Sequence, residues 1–156
     1  MLSKMLAQKI PKIYPETLAK PIYKLQFDGC SKGNPGLAGA GAVIYQNDNE
    51  IWNDCSFVGK SSTNNQAEYN GLLLGLNQAI NLNIKELLVE GDSDLVIKQM
   101  NNKYKVKSEN LIPLYEKAKR LEPMFEKITF THIYRHKNKR ADELANQAVE
   151  NLPPIF

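Results

Sequence analysis

The chain has 156 residues, a length that suits one domain with a single hydrophobic core. Hydrophobic residues make up 42% and charged residues 24%, which is the composition of a folded globular protein and excludes a disordered chain. The net charge of +3 arises within residues 1–21, while the rest of the chain carries balanced charge, so the overall charge does not by itself indicate binding to nucleic acid.

Residues 1–20 are predicted to form a basic arm in front of one domain that spans residues 21–152. The arm combines two prolines and several lysines with a weak amphipathic pattern, so we expect a flexible segment or a short helix. Its lysines interrupt the apolar run that a secretory signal needs, and no stretch of the chain approaches the ~20 apolar residues of a membrane span. Cys30 and Cys55 are expected to be free thiols. We therefore expect an intracellular protein without a membrane contact.

Three antiparallel strands are predicted for the first half of the domain. Residues 22–27 alternate apolar and polar side chains, and this strand is expected to close at Asp28. Residues 30–36, rich in glycine and proline, are predicted to be a turn. Residues 38–46 and 51–58 are the next two strands, and a polar hairpin connection joins them.

The second half is predicted to be mainly helical. Thr63 and Gln66 have the spacing of a capping box, which predicts a helix from Thr63 to about Leu82. Residues 87–89 indicate a short buried strand and residues 126–134 a last strand. Three more helices are predicted, ending at about Met100, covering about 109–121 and covering about 139–150. The resulting order, βββ-α-β-α-α-β-α, predicts an α/β fold with a five-stranded mixed β-sheet flanked by α-helices.

Four acidic residues stand at the ends of these predicted elements. Asp28 follows the first strand, Glu68 lies in the first turns of the first helix, Asp92 follows the short buried strand, and Asp142 lies in the first turn of the last helix. If the strand at 87–89 pairs parallel with the first strand, Asp28 and Asp92 lie at the same sheet edge, where ligand sites gather. Carboxylates so close repel one another unless a cation neutralises them, and Mg²⁺ prefers such oxygen ligands. Asp92 and Asp142 could each instead cap a helix.

Four motifs, in this order, carry a family resemblance. They are Asp28-Gly29 with Gly33-Asn34-Pro35-Gly36, then Thr63-Asn64-Asn65-Gln66-Ala67-Glu68, then Gly91-Asp92-Ser93, then Asn138-Lys139-Arg140-Ala141-Asp142-Glu143-Leu144-Ala145. Together they resemble type 1 ribonuclease H over about residues 22–150. The resemblance implies the RNase H-like fold, in which three antiparallel strands are followed by two parallel ones. It also implies an endoribonuclease that hydrolyses the RNA strand of RNA–DNA hybrids.

The resemblance implies a metal site as well. By the motif matches, Asp28, Glu68, Asp92 and Asp142 are the metal-binding and catalytic carboxylates. The implied mechanism uses two Mg²⁺ ions ~3.5–4 Å apart, one to activate a water molecule and one to stabilise the leaving 3′-oxygen, and Mn²⁺ could replace them. The products would carry 5′-phosphate and 3′-hydroxyl ends.

The matched motifs imply contacts with an RNA–DNA hybrid duplex as the partner. RNA differs from DNA by its 2′-hydroxyl, which is accessible in the minor groove of an A-like duplex. The counterparts of Asn34, Asn65, Gln66 and Glu68 contact that groove, and Thr63 resembles a contact to a phosphate of the DNA strand. Helix capping explains Thr63 and Gln66 equally well.

Two basic clusters are candidates for holding the phosphate backbone of the hybrid. Such contacts position a duplex without reading its sequence, and they weaken as salt increases. A solvated charged surface is the alternative interpretation of either cluster. The first cluster is Lys103, Lys105 and Lys107, and the second is Arg135, Lys137, Lys139 and Arg140.

Two features depart from the family pattern. Many members carry a histidine that assists proton transfer on a longer loop before the last helix. Counting back from Asp142 without a gap favours His132 for this role, whereas the strand prediction favours His136, because His132 falls inside the strand. We assign the role to His136. Residues 101–108 are also shorter than the basic protrusion of some bacterial members, so hybrid affinity is expected to be modest unless the arm compensates.

Two other functions remain open from the sequence. A nuclease of the same fold could act on DNA instead, and a non-catalytic binding module could keep the fold without the reaction. The Asn64-Asn65-Gln66 and Gly33-Asn34-Pro35-Gly36 elements argue against the first, and the retention of four carboxylates argues against the second. No obligatory protein partner is evident, and we expect a monomer.

Overall fold

The computed structural model describes residues 20–152, so the predicted basic arm lies outside the described residues except for Lys20. A five-stranded sheet forms its centre. The strands are β1 (Tyr23–Lys32), β2 (Gly36–Gln46), β3 (Asn49–Ser62), β4 (Glu86–Gly91) and β5 (Lys127–His132). The described α-helices are α1 (Asn64–Asn81), α2 (Asp94–Met100), α3 (Ile112–Leu121) and α4 (Lys139–Glu150). Two short 3₁₀ turns, Glu122–Met124 and Arg135–Lys137, precede β5 and α4.

The strand order in the sheet is β3-β2-β1-β4-β5. The pairs β1–β2 and β2–β3 are antiparallel, whereas β1–β4 and β4–β5 are parallel. The predicted element order and the predicted parallel pairing of the first strand with the strand after α1 are therefore confirmed. The last parallel partners in β1 and β4 are Phe27 and Gly91, so Asp28 and Asp92 both lie just beyond the paired segment.

Asp28 does not close β1, and that part of the prediction is wrong. The strand continues to Lys32, because the residues after Asp28 pair with β2 up to Leu37. The turn shrinks to the three residues between β1 and β2, where Gly33 and Asn34 take positive φ angles of 120° and 37°. Positive φ suits glycine and asparagine, which explains why the turn is made there.

Several further boundaries differ from the predictions, and β3 and β4 are both longer than the predicted strands at 51–58 and 87–89. Helix α3 begins at Ile112 rather than near residue 109, with Pro113 in its first turn, the position where a missing N–H costs no helical hydrogen bond. Strand β5 ends at His132, because pairing with β4 stops at Gly91. Among the described helices, none is both long and apolar enough to span a membrane.

Helices α1 and α4 pack closely on opposite faces of the sheet. Leu25 and Phe27 of β1 share a core with Leu72 and other residues of α1. Glycines allow the close approach, since a Cβ added at Gly29 would lie 2.3 Å from the backbone of α1, and one at Gly41 would lie 2.6 Å from the backbone of α4. The helix that carries Glu68 is thus held against β1, which carries Asp28, and the helix that carries Asp142 is held against the neighbouring strand β2.

Candidate active site

The predicted carboxylates converge at one edge of the sheet. Asp28 comes from β1, Glu68 from the second turn of α1, and Asp92 from the residue after β4. Each of the three offers a carboxylate oxygen, and these oxygens all lie within 4.8 Å of one another. Asp142, in the first turn of α4, lines the same cavity of about 530 Å³. The structure therefore brings together all four acidic residues that the sequence singled out.

The electrostatics of this cluster oppose full ionisation. Only 4% of Asp28 and 7% of Glu68 is exposed. Burial raises the pKa of Asp28 to about 7; the hydrogen bond with Glu68 lowers it and the charge of Asp92 raises it. Burial, followed by the charge of Asp28, holds the pKa of Glu68 well above its usual range. A bound cation stabilises the ionised form of carboxyl groups that are buried close together.

The donor set fits a hard divalent cation. It consists of carboxylate oxygens from Asp28, Glu68 and Asp92, with Asp142 on the wall of the same cavity. The Oε2 atom of Glu68 is buried and has no hydrogen-bond partner among the described residues. Such an atom costs free energy unless something satisfies it, and a divalent cation would do so.

Asn138 anchors the turn that carries Asp142. Its side chain is fully buried, and Nδ2 donates a hydrogen bond of 2.8 Å to the carbonyl oxygen of Phe27. The backbone N–H of Asp142 donates to the carbonyl oxygen of Asn138 at 3.1 Å. The start of α4 is thus attached to β1 one residue before Asp28. Asn138 belongs to the last of the four matched motifs, but no pattern in the sequence indicates this contact.

Asparagine side chains join the end of β1 and the β1–β2 turn to the start of α1. Asn34 Oδ1 accepts a hydrogen bond from the backbone N–H of Asn64 at 2.9 Å, and Asn64 Oδ1 accepts one from the backbone N–H of Ser31 at 2.8 Å. Asn65 lines the carboxylate cavity. The role of Asn64 is not evident from the sequence, although the residue stands within a matched motif.

The capping box predicted at the start of α1 is confirmed. Thr63 Oγ1 accepts from the backbone N–H of Gln66 at 3.1 Å, and Gln66 Oε1 accepts from the backbone N–H of Thr63 at 2.8 Å. Both side chains therefore serve the helix, and their contacts with nucleic acid stay a prediction.

A second groove, of about 500 Å³, adjoins the carboxylate cavity, and Asn65 lines both. Of the first basic cluster, Lys105 and Lys107 line this groove, whereas Lys103 does not. The spacing of the three lysines does not predict this separation, and sequence reasoning misses the groove residues Gln99 and Asn110. The residues that line the groove are Asn34, Thr63, Asn65, Leu95, Gln99, Lys105, Lys107, Ser108, Asn110 and Leu111.

Comparison with known proteins identifies the family. A family model described as "Reverse transcriptase-like" matches residues 26–148. A protein of Pseudomonas fluorescens named Ribonuclease H is 31% identical over 141 residues, which cover 80% of this chain and 88% of that protein. The chain belongs to the type 1 ribonuclease H family.

Other ribonuclease H relatives extend this result. The Bifunctional protein Rv2228c of Mycobacterium tuberculosis is 41% identical over 128 residues, or 81% of this chain and 35% of that protein, so the chain spans about a third of this relative's length. The N-terminal ribonuclease H domain of Rv2228c superposes with a TM-score of 0.80 at 39% identity, covering 84% of this chain and 95% of that one. LC11-RNase H1, whose structure was solved in complex with an RNA/DNA hybrid, superposes with a TM-score of 0.76 at 34% identity. The match covers 82% of this chain and 96% of that one. The predicted fold class is confirmed.

In this ribonuclease H fold, the loop before α4 places Arg135 and His136 beside the carboxylates. Arg135 lines the carboxylate cavity, and His136 lines a neighbouring pocket that also includes Asp142. The His136 ring stacks on Tyr134 with centroids 6.0 Å apart and an interplanar angle of 7°. His132 ends β5 and lines neither of these pockets. Lys137 lies in the same loop, also outside both pockets.

Proposed function

We propose that this chain is an endoribonuclease that hydrolyses the RNA strand of RNA–DNA hybrids. The observation that carries the proposal is the convergence of Asp28, Glu68 and Asp92 within 4.8 Å, with Asp142 on the same cavity. Membership of the type 1 ribonuclease H family supports it. The similarity to LC11-RNase H1, whose structure was solved in complex with an RNA/DNA hybrid, supports it further.

The four carboxylates would hold two Mg²⁺ ions, and Mn²⁺ could take their place. When bound, the ions supply activation of a water molecule and stabilisation of the leaving 3′-oxygen, which gives 5′-phosphate and 3′-hydroxyl ends. Asp28 and Glu68 would contribute through their burial, because a carboxylate with a raised pKa gains most from a neighbouring cation.

The hybrid would lie across the carboxylate cavity and the second groove. Asn34, Asn65 and Gln66 would face the minor groove and contact 2′-hydroxyls of the RNA strand. Thr63 and Lys105, which line the second groove, would contact phosphates of the DNA strand. The remaining basic side chains of the predicted interface, Lys103, Arg135 and Lys137, would add attraction for the duplex backbone.

His136 would assist proton transfer near the scissile phosphate. Its pocket includes Asp142, and its ring stacks on that of Tyr134. A histidine can exchange a proton at neutral pH, which suits this task. The reaction would continue without it at a reduced rate, because the carboxylate site supports the main step.

The first experiment is cleavage of a labelled RNA–DNA hybrid with Mg²⁺, beside matched RNA–RNA and DNA–DNA duplexes and an Asp28→Asn variant. We expect cutting of only the RNA strand of the hybrid, abolished by EDTA and by the variant. Cutting of DNA–DNA duplex would favour a DNA nuclease. Binding of hybrid without cutting in Mg²⁺ or Mn²⁺ would favour a binding module.

We further propose that the protein is a monomer, is intracellular and is organised as an arm over residues 1–20 and a domain over residues 21–152. The free thiols of Cys30 and Cys55 agree with a reducing compartment. Sedimentation as a species near 17.6 kDa would support the monomer, and a dimer mass would contradict it.

A further inference from the structure

A buried hydrogen bond links α1 to α2 behind the second groove. The hydroxyl of Tyr69 donates to Oε1 of Gln99 at 2.6 Å. Tyr69 is fully buried, and only 3% of Gln99 is exposed. Two polar groups buried in this way must form a hydrogen bond with each other. The Tyr69–Gln99 pair has no part in the proposed chemistry of the carboxylates.

Gln99 also forms part of the wall of the second groove. Leu95, four residues earlier on α2, lines the same groove, so one face of this helix borders it. The hydrogen bond from Tyr69 to Oε1 fixes the orientation of the planar amide, and Nε2, which carries two N–H donors, forms no hydrogen bond with the described residues.

We propose that Gln99 donates a hydrogen bond from Nε2 to a phosphate oxygen of the nucleic-acid strand in the second groove, and that Tyr69 is the positioning residue that holds the amide for it. This inference rests on the proposed function, because it assigns a further contact to the same bound hybrid.

The chemistry of the groove favours a phosphate over other ligands. Lys105, Lys107 and Thr63 line it, and none of the described lining residues is acidic. Burial raises the pKa of Tyr69 above its usual range, so its hydroxyl stays protonated and continues to donate. The Gln99 oxygen already accepts from Tyr69, and the two N–H groups of its amide are donors that suit an anion, which has acceptors alone.

The test compares steady-state cleavage of an RNA–DNA hybrid by the full chain and by Gln99→Met, Tyr69→Phe and the double variant. We expect Gln99→Met to raise KM about tenfold and Tyr69→Phe about threefold, with kcat within about twofold of wild type, because a neutral donor to a charged acceptor is lost. If Tyr69 acts through Gln99, the double variant has the KM of Gln99→Met alone.

Further variants separate this role from a structural one. Gln99→Glu keeps the acceptor for Tyr69 but presents a negative oxygen to the groove, so KM should rise more than in Gln99→Met. Tyr45→Phe removes a hydroxyl at the opposite end of β2 from the Asn34 turn, and its KM should be unchanged. A neutral donor releases no counterion, so the salt slope of kcat/KM should keep its wild-type value in Gln99→Met.

Wild-type KM in both Gln99→Met and Gln99→Glu would overturn the inference, as would additive effects of Gln99→Met and Tyr69→Phe. A fall in kcat with unchanged KM would also overturn it, since that pattern indicates a disturbed fold or carboxylate site. If the wild-type chain cleaves hybrid, any of these three results leaves the proposed function intact. If the wild-type chain fails to cleave hybrid, the proposed function itself fails.

Discussion

Asp28 and Glu68 lie side by side in the buried part of the carboxylate cavity, and their negative charges oppose each other there. The charge of Asp92 adds to this repulsion. Ionising both acids therefore costs free energy in the folded chain that is not required in the unfolded chain. A site of this kind sacrifices stability of the metal-free protein for affinity toward a cation.

Replacing Asp28 by Asn should stabilise the metal-free protein at alkaline pH. The pKa of Asp28 in the folded chain, about 7, lies above its ordinary value of 3.8. Protonated Asp28 therefore contributes fully to the stability of the folded chain below about pH 4, and this contribution is lost as pH rises through about 7. In EDTA, we expect the free energy of unfolding of Asp28→Asn to equal that of wild type near pH 4. At pH 8 it should exceed the wild-type value by on the order of 1–4 kcal/mol.

Urea unfolding at both pH values, with and without Mg²⁺, measures this difference. Mg²⁺ should stabilise wild type more than the variant, because a ligand that binds the native state raises its stability. An Asp28→Asn protein that is less stable than wild type at pH 8 in EDTA would contradict the explanation.

His136 and His132 offer a matched pair of substitutions. His136 shares a pocket with Asp142, whereas His132 lies at the end of β5 outside that pocket. We expect His136→Ala to lower kcat for hybrid cleavage by about tenfold or more with little change in KM, because proton transfer is slowed. His132→Ala should keep the wild-type rate, and the reverse order of effects would transfer the role to His132.

At the scale of elements, the site depends on how helices attach to β1 and β2. Gly29 and Gly41 bring α1 and α4 into contact with the sheet, and Asn138 fastens the start of α4 to the carbonyl oxygen of Phe27. Glu68 and Asp142 lie within a turn or so of these attachments. Displacement of either helix would separate the carboxylates, so the packing of these elements sets the geometry of the site.

Asn138→Ala should therefore affect both stability and activity. It leaves a buried carbonyl oxygen without its donor, which costs about 1–3 kcal/mol in the free energy of unfolding. Cleavage should also require a higher Mg²⁺ concentration for its half-maximal rate, because Asp142 loses its anchor. Asn77→Ala is the control, since Asn77 makes a similar bond to the Leu73 carbonyl on an exposed face. Equal losses in the two variants would refute a special role for Asn138.

At the scale of the whole molecule, the fold sorts basic residues that are neighbours in sequence. Lys105 and Lys107 line the second groove, whereas Lys103 lies outside it. Arg135 lines the carboxylate cavity, but Lys137 does not. The distribution of positive charge over the surface, and not the net charge of +3, is what would orient a nucleic-acid duplex.

Lys105→Ala should weaken hybrid binding and reduce its dependence on salt. Removing one phosphate contact lowers the slope of log Kd against log salt concentration by about one. Lys103→Ala should change the slope less, because its side chain lies outside the groove. Fluorescence anisotropy with labelled hybrid, in an Asp28→Asn background that prevents cleavage, gives both slopes. Equal slopes in the two variants would argue against the groove as the DNA-strand site.

The amino-acid sequence alone was enough to predict the order of the elements, the capping box at Thr63 and the four acidic residues that converge. These features depend on local patterns: apolar periodicity, turn residues, and polar side chains that satisfy a helix end three residues away. The motif order also indicated the family, which the comparisons confirmed. These features can be recognised in the sequence because each depends on residues that are close together along the chain.

Features that depend on contacts between residues distant in sequence are evident only in the folded chain. The length of β1, and hence the position of Asp28 inside it, follows from the register with β2. The separation of Lys103 from the groove follows from the path of the chain after α2. The contacts of Asn138 and Gln99 join residues 111 and 30 positions apart. No local pattern specifies them, because the partner of a buried polar group is set by the packing of helices against the sheet.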